Sequence, residues 1–214
     1  MKNLLLAFVL LFALSSQPLL GAADASPEQV VDTSGKKLRV GLRYYIVPVT
    51  PYIGCSRYGI CFKSGGLSLA SLGESSCPLD VVFVGGSRGL PLSFSPVDPK
   101  KGTVRVSTDL NIMFSTDHTR CAKYSPVWKL DHFDVAKGQW FVTTGGSVGN
   151  PGWGTIRNWF KIEKFEDAYK IVYCPTLFPY SKHLCKDVGL FLYEKAYKRL
   201  ALSDVPFKVK FQLA

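Results

Sequence analysis

Val30-Val31-Asp32-Thr33-Ser34-Gly35-Lys36-Lys37-Leu38-Arg39-Val40-Gly41-Leu42-Arg43-Tyr44-Tyr45-Ile46-Val47-Pro48-Val49 sets the character of the chain. An acidic residue, a small polar turn and a glycine lead into a short basic stretch. A Tyr-Tyr-Ile-Val run follows, rich in the aromatic and β-branched residues that suit a pleated strand, and it stops at a proline. The far end has the same texture. Phe207-Lys208-Val209-Lys210-Phe211-Gln212-Leu213 puts an apolar residue at every second position, which marks a strand with one buried face. Between these ends, strand-like runs lie at 43–49, 67–70, 81–84, 103–106, 111–114, 127–130, 139–143, 159–164, 169–173, 188–192 and 198–202, with 207–213 as the last. Gly65-Gly66, Gly85-Gly86, Asp98-Pro99, Gly145-Gly146 and Asn150-Pro151-Gly152 punctuate them. No stretch of ordinary helix length has helical periodicity. Many short strands separated by turns indicate an all-β sandwich or barrel, and pattern alone does not choose between the two.

Residues 1–23 are of a different kind. A lone Lys2 precedes an apolar run from Leu4 to Leu14, then Ser15-Ser16-Gln17-Pro18 and the small residues Gly21-Ala22-Ala23. This is the layout of a secretory signal peptide cleaved near Ala23. The apolar run is shorter than the ~20 residues needed to span a bilayer, and no later stretch is apolar enough to do so. The expectation is a secreted protein with no membrane span after cleavage, extracellular or carried to a vacuole. The remaining 24–214, about 190 residues, suit one domain. A domain of that size buries roughly 70% of its unfolded surface, so cross-links would reinforce a core and not replace one.

All six cysteines, Cys55, Cys61, Cys77, Cys121, Cys174 and Cys185, fall in the mature part. An even number behind a signal peptide implies disulfides, with connectivity left open by sequence alone. The spacing of Cys55 and Cys61 is not that of a zinc knuckle, and His118, His132 and His183 complete no ligand pattern, so no metal and no other cofactor is expected. The net charge of +10 comes from basic residues scattered in ones and twos. A solvated basic surface accounts for that, and neither the pattern nor the compartment suggests nucleic acid.

The opening segment resembles the start of the plant Kunitz inhibitor family, of the soybean trypsin inhibitor type. The resemblance extends over nearly all of the mature chain. It includes Cys77-Pro78-Leu79, Gly89-Leu90-Pro91, Val106-Ser107-Thr108-Asp109-Leu110-Asn111-Ile112 and Val127-Trp128-Lys129-Leu130-Asp131. It continues through Phe141-Val142-Thr143-Thr144-Gly145-Gly146, Asn158-Trp159-Phe160-Lys161-Ile162-Glu163-Lys164, Tyr169-Lys170-Ile171-Val172-Tyr173-Cys174-Pro175 and Arg199-Leu200-Ala201-Leu202-Ser203-Asp204-Val205-Pro206. The wording is most similar to the miraculin-like branch. The resemblance implies a β-trefoil of twelve short strands about a pseudo-threefold axis, although no internal repeat is visible in the sequence. It implies disulfides Cys77–Cys121 and Cys174–Cys185, worth about 4 and about 3 kcal/mol by loop closure. Cys55 and Cys61 would then pair across a small loop outside the basic family pattern.

The resemblance also implies that the protein is not an enzyme, and the sequence offers only decoys. Gly85-Gly86-Ser87-Arg88-Gly89 and Gly145-Gly146-Ser147-Val148-Gly149 both satisfy the nucleophile-elbow pattern, but Leu90-Pro91-Leu92 and Asn150-Pro151-Gly152 follow them and neither opens a helix. Glu166-Asp167 sits in a turn without an apolar pocket to raise a carboxyl pKa. No phosphate loop or dinucleotide fingerprint occurs.

By the same resemblance the inhibitory loop runs through Asp98-Pro99-Lys100-Lys101-Gly102. Lys100 takes the specificity position and Lys101 follows it, or the bond lies one residue later at Lys101-Gly102. A lysine can enter a pocket floored by a carboxylate, and Pro99 restricts the backbone just before it. A loop held in the bound shape avoids the entropy lost when a flexible peptide docks. The same five residues also compose an ordinary solvated turn. Two departures from the family pattern bear on this. Val40 stands where potent members carry an Asn that braces the loop. Phe178 and Ser181 stand where the miraculin-like branch often has further cysteines. The loop 175–184, with Phe178, Tyr180 and Lys182, is an alternative contact surface suited to a papain-like protease or a serine carboxypeptidase. Arg57, between Cys55 and Cys61, resembles an inhibitory loop in style only. The expected function is a monomeric, secreted protease inhibitor directed at a serine endopeptidase through Lys100. The rival is a non-inhibitory defence or binding protein on the same scaffold.

Overall fold

A computed structural model describes residues 26–50, 53–55, 59, 61–72, 76–116, 120–177, 184–193 and 197–214, without the side chains of 53–55 and 62–63. The strands are β1 (Tyr44–Pro48), β2 (Ile53–Cys55), β3 (Cys61–Lys63), β4 (Gly65–Ala70), β5 (Asp80–Gly85), β6 (Leu92–Pro96) and β7 (Leu110–Phe114). They continue with β8 (Lys129–Asp134), β9 (Gln139–Thr143), β10 (Lys161–Phe165), β11 (Ala168–Tyr173), β12 (Lys186–Tyr193), β13 (Tyr197–Ser203) and β14 (Val209–Leu213). The only helical pieces among the described residues are 3₁₀ turns at Pro99–Lys101 and Trp153–Asn158.

Pairing, more than sequence, exposes the threefold design. The antiparallel pairs β1–β14, β6–β7 and β10–β11 are joined by Tyr44↔Leu92, Tyr169↔Val209 and the bridge Leu110↔Phe160. Together they close a six-stranded ring. The hairpins β4–β5, β8–β9 and β12–β13 cap it, and their inner strands touch one another through Asp80↔Thr143, Ala201↔Phe141 and Arg199↔Val82. Each third of the chain thus supplies two ring strands and one cap hairpin. This is the β-trefoil. Closure gives each ring strand a neighbour on both sides, by a ladder on one and a single bridged pair on the other, so that no long open edge is left.

The ring is filled by alternation. In β14 Val209 and Phe211 are buried while Lys210 and Gln212 face outward, as the period of two requires. Phe211 meets Phe94 edge-on at 5.5 Å and Tyr169 at 5.5 Å, and Trp128 meets Phe160 edge-on at 5.8 Å. Burying each such ring contributes about 1.5–3 kcal/mol. Where the three hairpins meet, the guanidinium of Arg199 lies 3.7 Å from the centroid of Phe141 and forms a buried ion pair with Asp80. Asp80 also accepts the Leu72 N–H at 2.9 Å.

Two expectations about strands need correcting. Leu92-Ser93-Phe94-Ser95-Pro96 alternates cleanly and is strand β6, although its flanking prolines hide it. Residues 103–106 alternate too, but Thr103 and Arg105 form only isolated bridges, to Arg39 and Gln29. Their alternation reports the burial of Val104 and not membership of a ladder.

Cys77 is joined to Cys121 and Cys174 to Cys185. Cys61 is disulfide-bonded and sits opposite Cys55 in the β2–β3 ribbon, with the Cys55 side chain outside the described residues. At the N-terminal end, one carboxylate oxygen of Asp32 accepts the Ser34 N–H at 2.8 Å, the Ser34 hydroxyl at 2.7 Å and the Lys36 N–H at 3.0 Å. Gly35 completes that turn at φ +76°, where glycine carries no penalty. Thr33 N–H donates to Phe211, which fastens the turn to the ring.

Arg199→Met should destabilise the fold by about 3–5 kcal/mol in denaturant titration, because it strands a buried carboxylate. Adding Asp80→Leu should recover part of the loss. A second expectation concerns acid. Burial pushes the Asp32 carboxyl up, but the donors from Ser34 and Lys36 together outweigh it and hold it below its ordinary value. A depressed folded pKa gives stability that is complete above the unfolded value and disappears as pH falls through the folded one. Asp32→Asn should therefore be less stable than the parent at neutral pH, with the gap closing below about pH 4.

Candidate protease-contact loop

The segment 97–109 leaves the ring at Pro96 and re-enters it at Leu110, which face each other in the β6–β7 ladder. Val97 N–H donates to the Asp109 carbonyl at 2.9 Å and closes the neck. Above this, Pro99–Lys101 make one 3₁₀ turn, with Gly102 N–H donating to the Pro99 carbonyl at 3.0 Å. Proline at the first position and a left-handed Gly102, φ +66°, are the local reasons for that turn. A methyl group at Gly102 would meet nothing, so the glycine is there for its backbone angle. Asp98, Pro99, Lys100, Lys101 and Gly102 are all exposed. Lys101 lies 4.0 Å from Asp98, a half-exposed pair worth at most about 1 kcal/mol. Lys100 has no ion pair or hydrogen bond among the described residues.

The descending limb is fastened to the opening segment. Val40 N–H donates to the Gly102 carbonyl at 3.1 Å, Val104 N–H to Leu38 at 3.0 Å, and Val30 N–H to Val104 at 3.0 Å. Leu38 and Val104 are fully buried beneath these bonds. Further down, an Arg105 guanidinium N–H donates to the Pro27 carbonyl at 2.7 Å, Val106 N–H to Glu28 at 2.8 Å and Ser107 N–H to Ile162 at 2.8 Å. Val40 thus braces the loop through its main chain and not through a side chain. That brace has no signature in the sequence, because any residue but proline supplies an amide N–H.

Protease clefts take up a peptide as an extended strand. The resemblance implies a tip already in that shape, whereas Lys100 here stands in the middle of a tight turn. One exposed main-chain hydrogen bond, a long one from the Thr103 hydroxyl to the Lys101 carbonyl at 3.4 Å and one weak ion pair hold the turn, so straightening it costs about 1–2 kcal/mol. Both feet are fixed independently of the tip.

The rest of the predicted constellation is dispersed. Of the loop 175–184, Pro175, Thr176, Leu177 and Leu184 are described, and the Cys174–Cys185 bridge closes it. Phe178, Tyr180 and Lys182 lie outside the described residues, as does Arg57. Ser87 and Ser147 are turn residues without a following nucleophile-elbow helix. The Ser87 hydroxyl accepts the Gly89 N–H at 3.2 Å and the Ser147 hydroxyl accepts from Asn158 Nδ2 at 3.0 Å. Gly89 and Gly146 are there because a Cβ would strike the carbonyls of Leu67 and Trp128, at 2.0 and 2.6 Å. A cleft of about 480 Å³ beside the Asp32 turn has its charges paired, Lys164 with Glu28 at 2.7 Å and Lys210 with Asp167 at 3.5 Å. Among the described residues no group of three His, Cys, Asp or Glu side chains is placed to hold a metal ion.

Comparison with known proteins accords with this geometry. The legume Kunitz family model, described as "Trypsin and protease inhibitor", matches residues 30–213. The chain is 45% identical to miraculin of Synsepalum dulcificum, over 94% of its own length and 90% of that protein. It is 43% identical to Kunitz trypsin inhibitor 5 of Arabidopsis thaliana over the whole of both chains. Among solved structures, the Kunitz-type cysteine protease inhibitor from potato superposes with a TM-score of 0.71 at 32% identity, covering 88% of this chain and 98% of that one. The homologues in this family are inhibitors without catalytic activity of their own. The chain belongs to the Kunitz family of trypsin and protease inhibitors, among its miraculin-like members.

Proposed function

We propose that the protein is a secreted, monomeric inhibitor of serine endopeptidases with trypsin-like preference, acting through the tip at 98–102 with Lys100 as the side chain that enters the enzyme. The observation that carries this is an unpaired, exposed lysine on a short turn whose two feet are bonded to a closed barrel. The side chain is free to form a desolvated pair with a carboxylate at the bottom of a deep pocket. The feet keep the cut ends close if the bond is attacked. The turn must straighten on docking, and a cost of about 1–2 kcal/mol for this lowers affinity roughly tenfold relative to an already extended tip. The name of the Arabidopsis relative, a trypsin inhibitor, supports the same target class.

A second reading is favoured by that same closed turn together with the potato structure, whose description is of a cysteine protease inhibitor. On that reading the loop 175–184 makes the contact and the lysine tip is idle. The rival with no inhibition at all takes its support from Val40, which offers no side-chain brace.

Titration of the mature protein against trypsin, papain and a serine carboxypeptidase separates the three. Inhibition of trypsin is expected, and Lys100→Ala with Lys101→Ala should raise its inhibition constant by roughly 30-fold or more. Inhibition of papain alone, unaffected by that double substitution, would move the site to the second loop. No inhibition of any of the three at micromolar protein would leave the non-inhibitory binding protein. Export is checked separately. N-terminal sequencing of protein from the medium of expressing plant cells should begin near residue 24, and alkylation without reductant should label no cysteine.

A further inference from the structure

We infer that Asp109 is a positioning residue that ties the foot of the 98–102 tip to Thr176, at the start of the segment that follows Cys174. The inference rests on the inhibitor reading above for its functional consequence, though not for the coupling itself.

Asp109 ends the loop that carries the tip, immediately before β7, and is only 5% exposed. Its main-chain carbonyl accepts the Val97 N–H, the bond at the ascending foot. Its carboxylate turns the other way. Oδ2 accepts the Thr176 N–H at 3.2 Å and the Thr176 hydroxyl at 2.7 Å. Lys161, at the start of β10 and 6% exposed, donates from Nζ to that same hydroxyl oxygen at 3.1 Å. The threonine hydroxyl therefore accepts from a buried ammonium and donates to a buried carboxylate, a neutral relay between two ions that make no direct pair. Thr176 stands two residues after Cys174, where the second loop begins.

Buried ions are held in place by the hydrogen bonds that satisfy them, and removing the shared hydroxyl weakens the hold on both. If the relay fails, the carboxylate keeps only the Thr176 N–H, and the Asp109 carbonyl is held less firmly against Val97. The foot of the tip and the root of the second loop then loosen together. The consequence for inhibition is specific. When the Lys100–Lys101 amide is attacked, the Lys100 acyl group becomes esterified to the enzyme's serine, and the departing Lys101 amine takes up a proton. Firm feet keep that amine at hand, so it can attack the ester, restore the amide and return the serine. Loosened feet let water take the acyl group, and the inhibitor is consumed.

The test uses mature protein carrying Thr176→Val, with Thr176→Ser as the variant that keeps the hydroxyl. Amide hydrogen exchange is followed at Val97, at Thr176 and at Phe211 in the ring. Thr176→Val should speed exchange at Val97 and Thr176 together and leave Phe211 unchanged, and Thr176→Ser should restore parental exchange. Faster exchange at Thr176 alone, or equally at all three, would overturn the coupling, and this arm decides it whether or not any protease is inhibited. With trypsin, Thr176→Val should still inhibit at first, then be cleaved at Lys100–Lys101 about tenfold faster than the parent, a change in lifetime more than in capture. Parental resistance to cleavage alongside faster Val97 exchange would overturn the functional half. A parent that inhibits nothing, with coupled exchange intact, would instead count against the inhibitor reading alone.

Discussion

The guanidinium of Arg199 is the point on which the three thirds of the molecule agree. It comes from the third hairpin, pairs with Asp80 of the first and lies against Phe141 of the second. A charge buried this deeply is tolerated only with an opposite charge and a polarisable face beside it. The carboxylate comes from the first hairpin and the nearer ring from the second, while Tyr193 of its own hairpin lies 5.1 Å away. All three hairpins thus contribute to the surroundings of one buried ion.

The ring in turn explains how so exposed a loop can be useful. The tip at 98–102 has almost no packing of its own, and its single internal hydrogen bond would not hold a free peptide in shape. Its order comes from below, from the ladder at Pro96↔Leu110 on one side and the 38–40 main chain on the other. A contact surface on rigid feet can change its residues without disturbing the core, and the core can be optimised without regard to the target. The potato and Arabidopsis relatives, named for different protease classes, share such a scaffold with this chain.

Local properties were legible in the sequence and long-range ones were not. The buried face of β14 can be read directly from Phe207–Leu213 because side-chain alternation is a property of the strand itself. The tip is legible as well: proline, two lysines and a glycine spell a short turn closed by a left-handed residue. Residues 103–106 mislead because alternation records which side chains are buried and is silent on whether a ladder runs alongside. The threefold arrangement leaves no repeat because the units share a pairing scheme that many residues satisfy. Asp80 and Arg199 are 119 positions apart, and Asp109 and Thr176 are 67 apart. Nothing near any of them distinguishes a buried partner from an ordinary surface charge. The main-chain brace from Val40 is invisible for a different reason, since amide groups are common to the whole chain.

The curled tip has one more implication. Two adjacent lysines on a surface projection are ordinarily where digestion begins. Coiled as Pro99–Lys101 are, and clamped at either end, they give a passing hydrolase no straight run to thread. The geometry that makes the proposed capture more expensive thus also guards the loop against routine digestion, sparing it from any hydrolase that cannot first uncoil it.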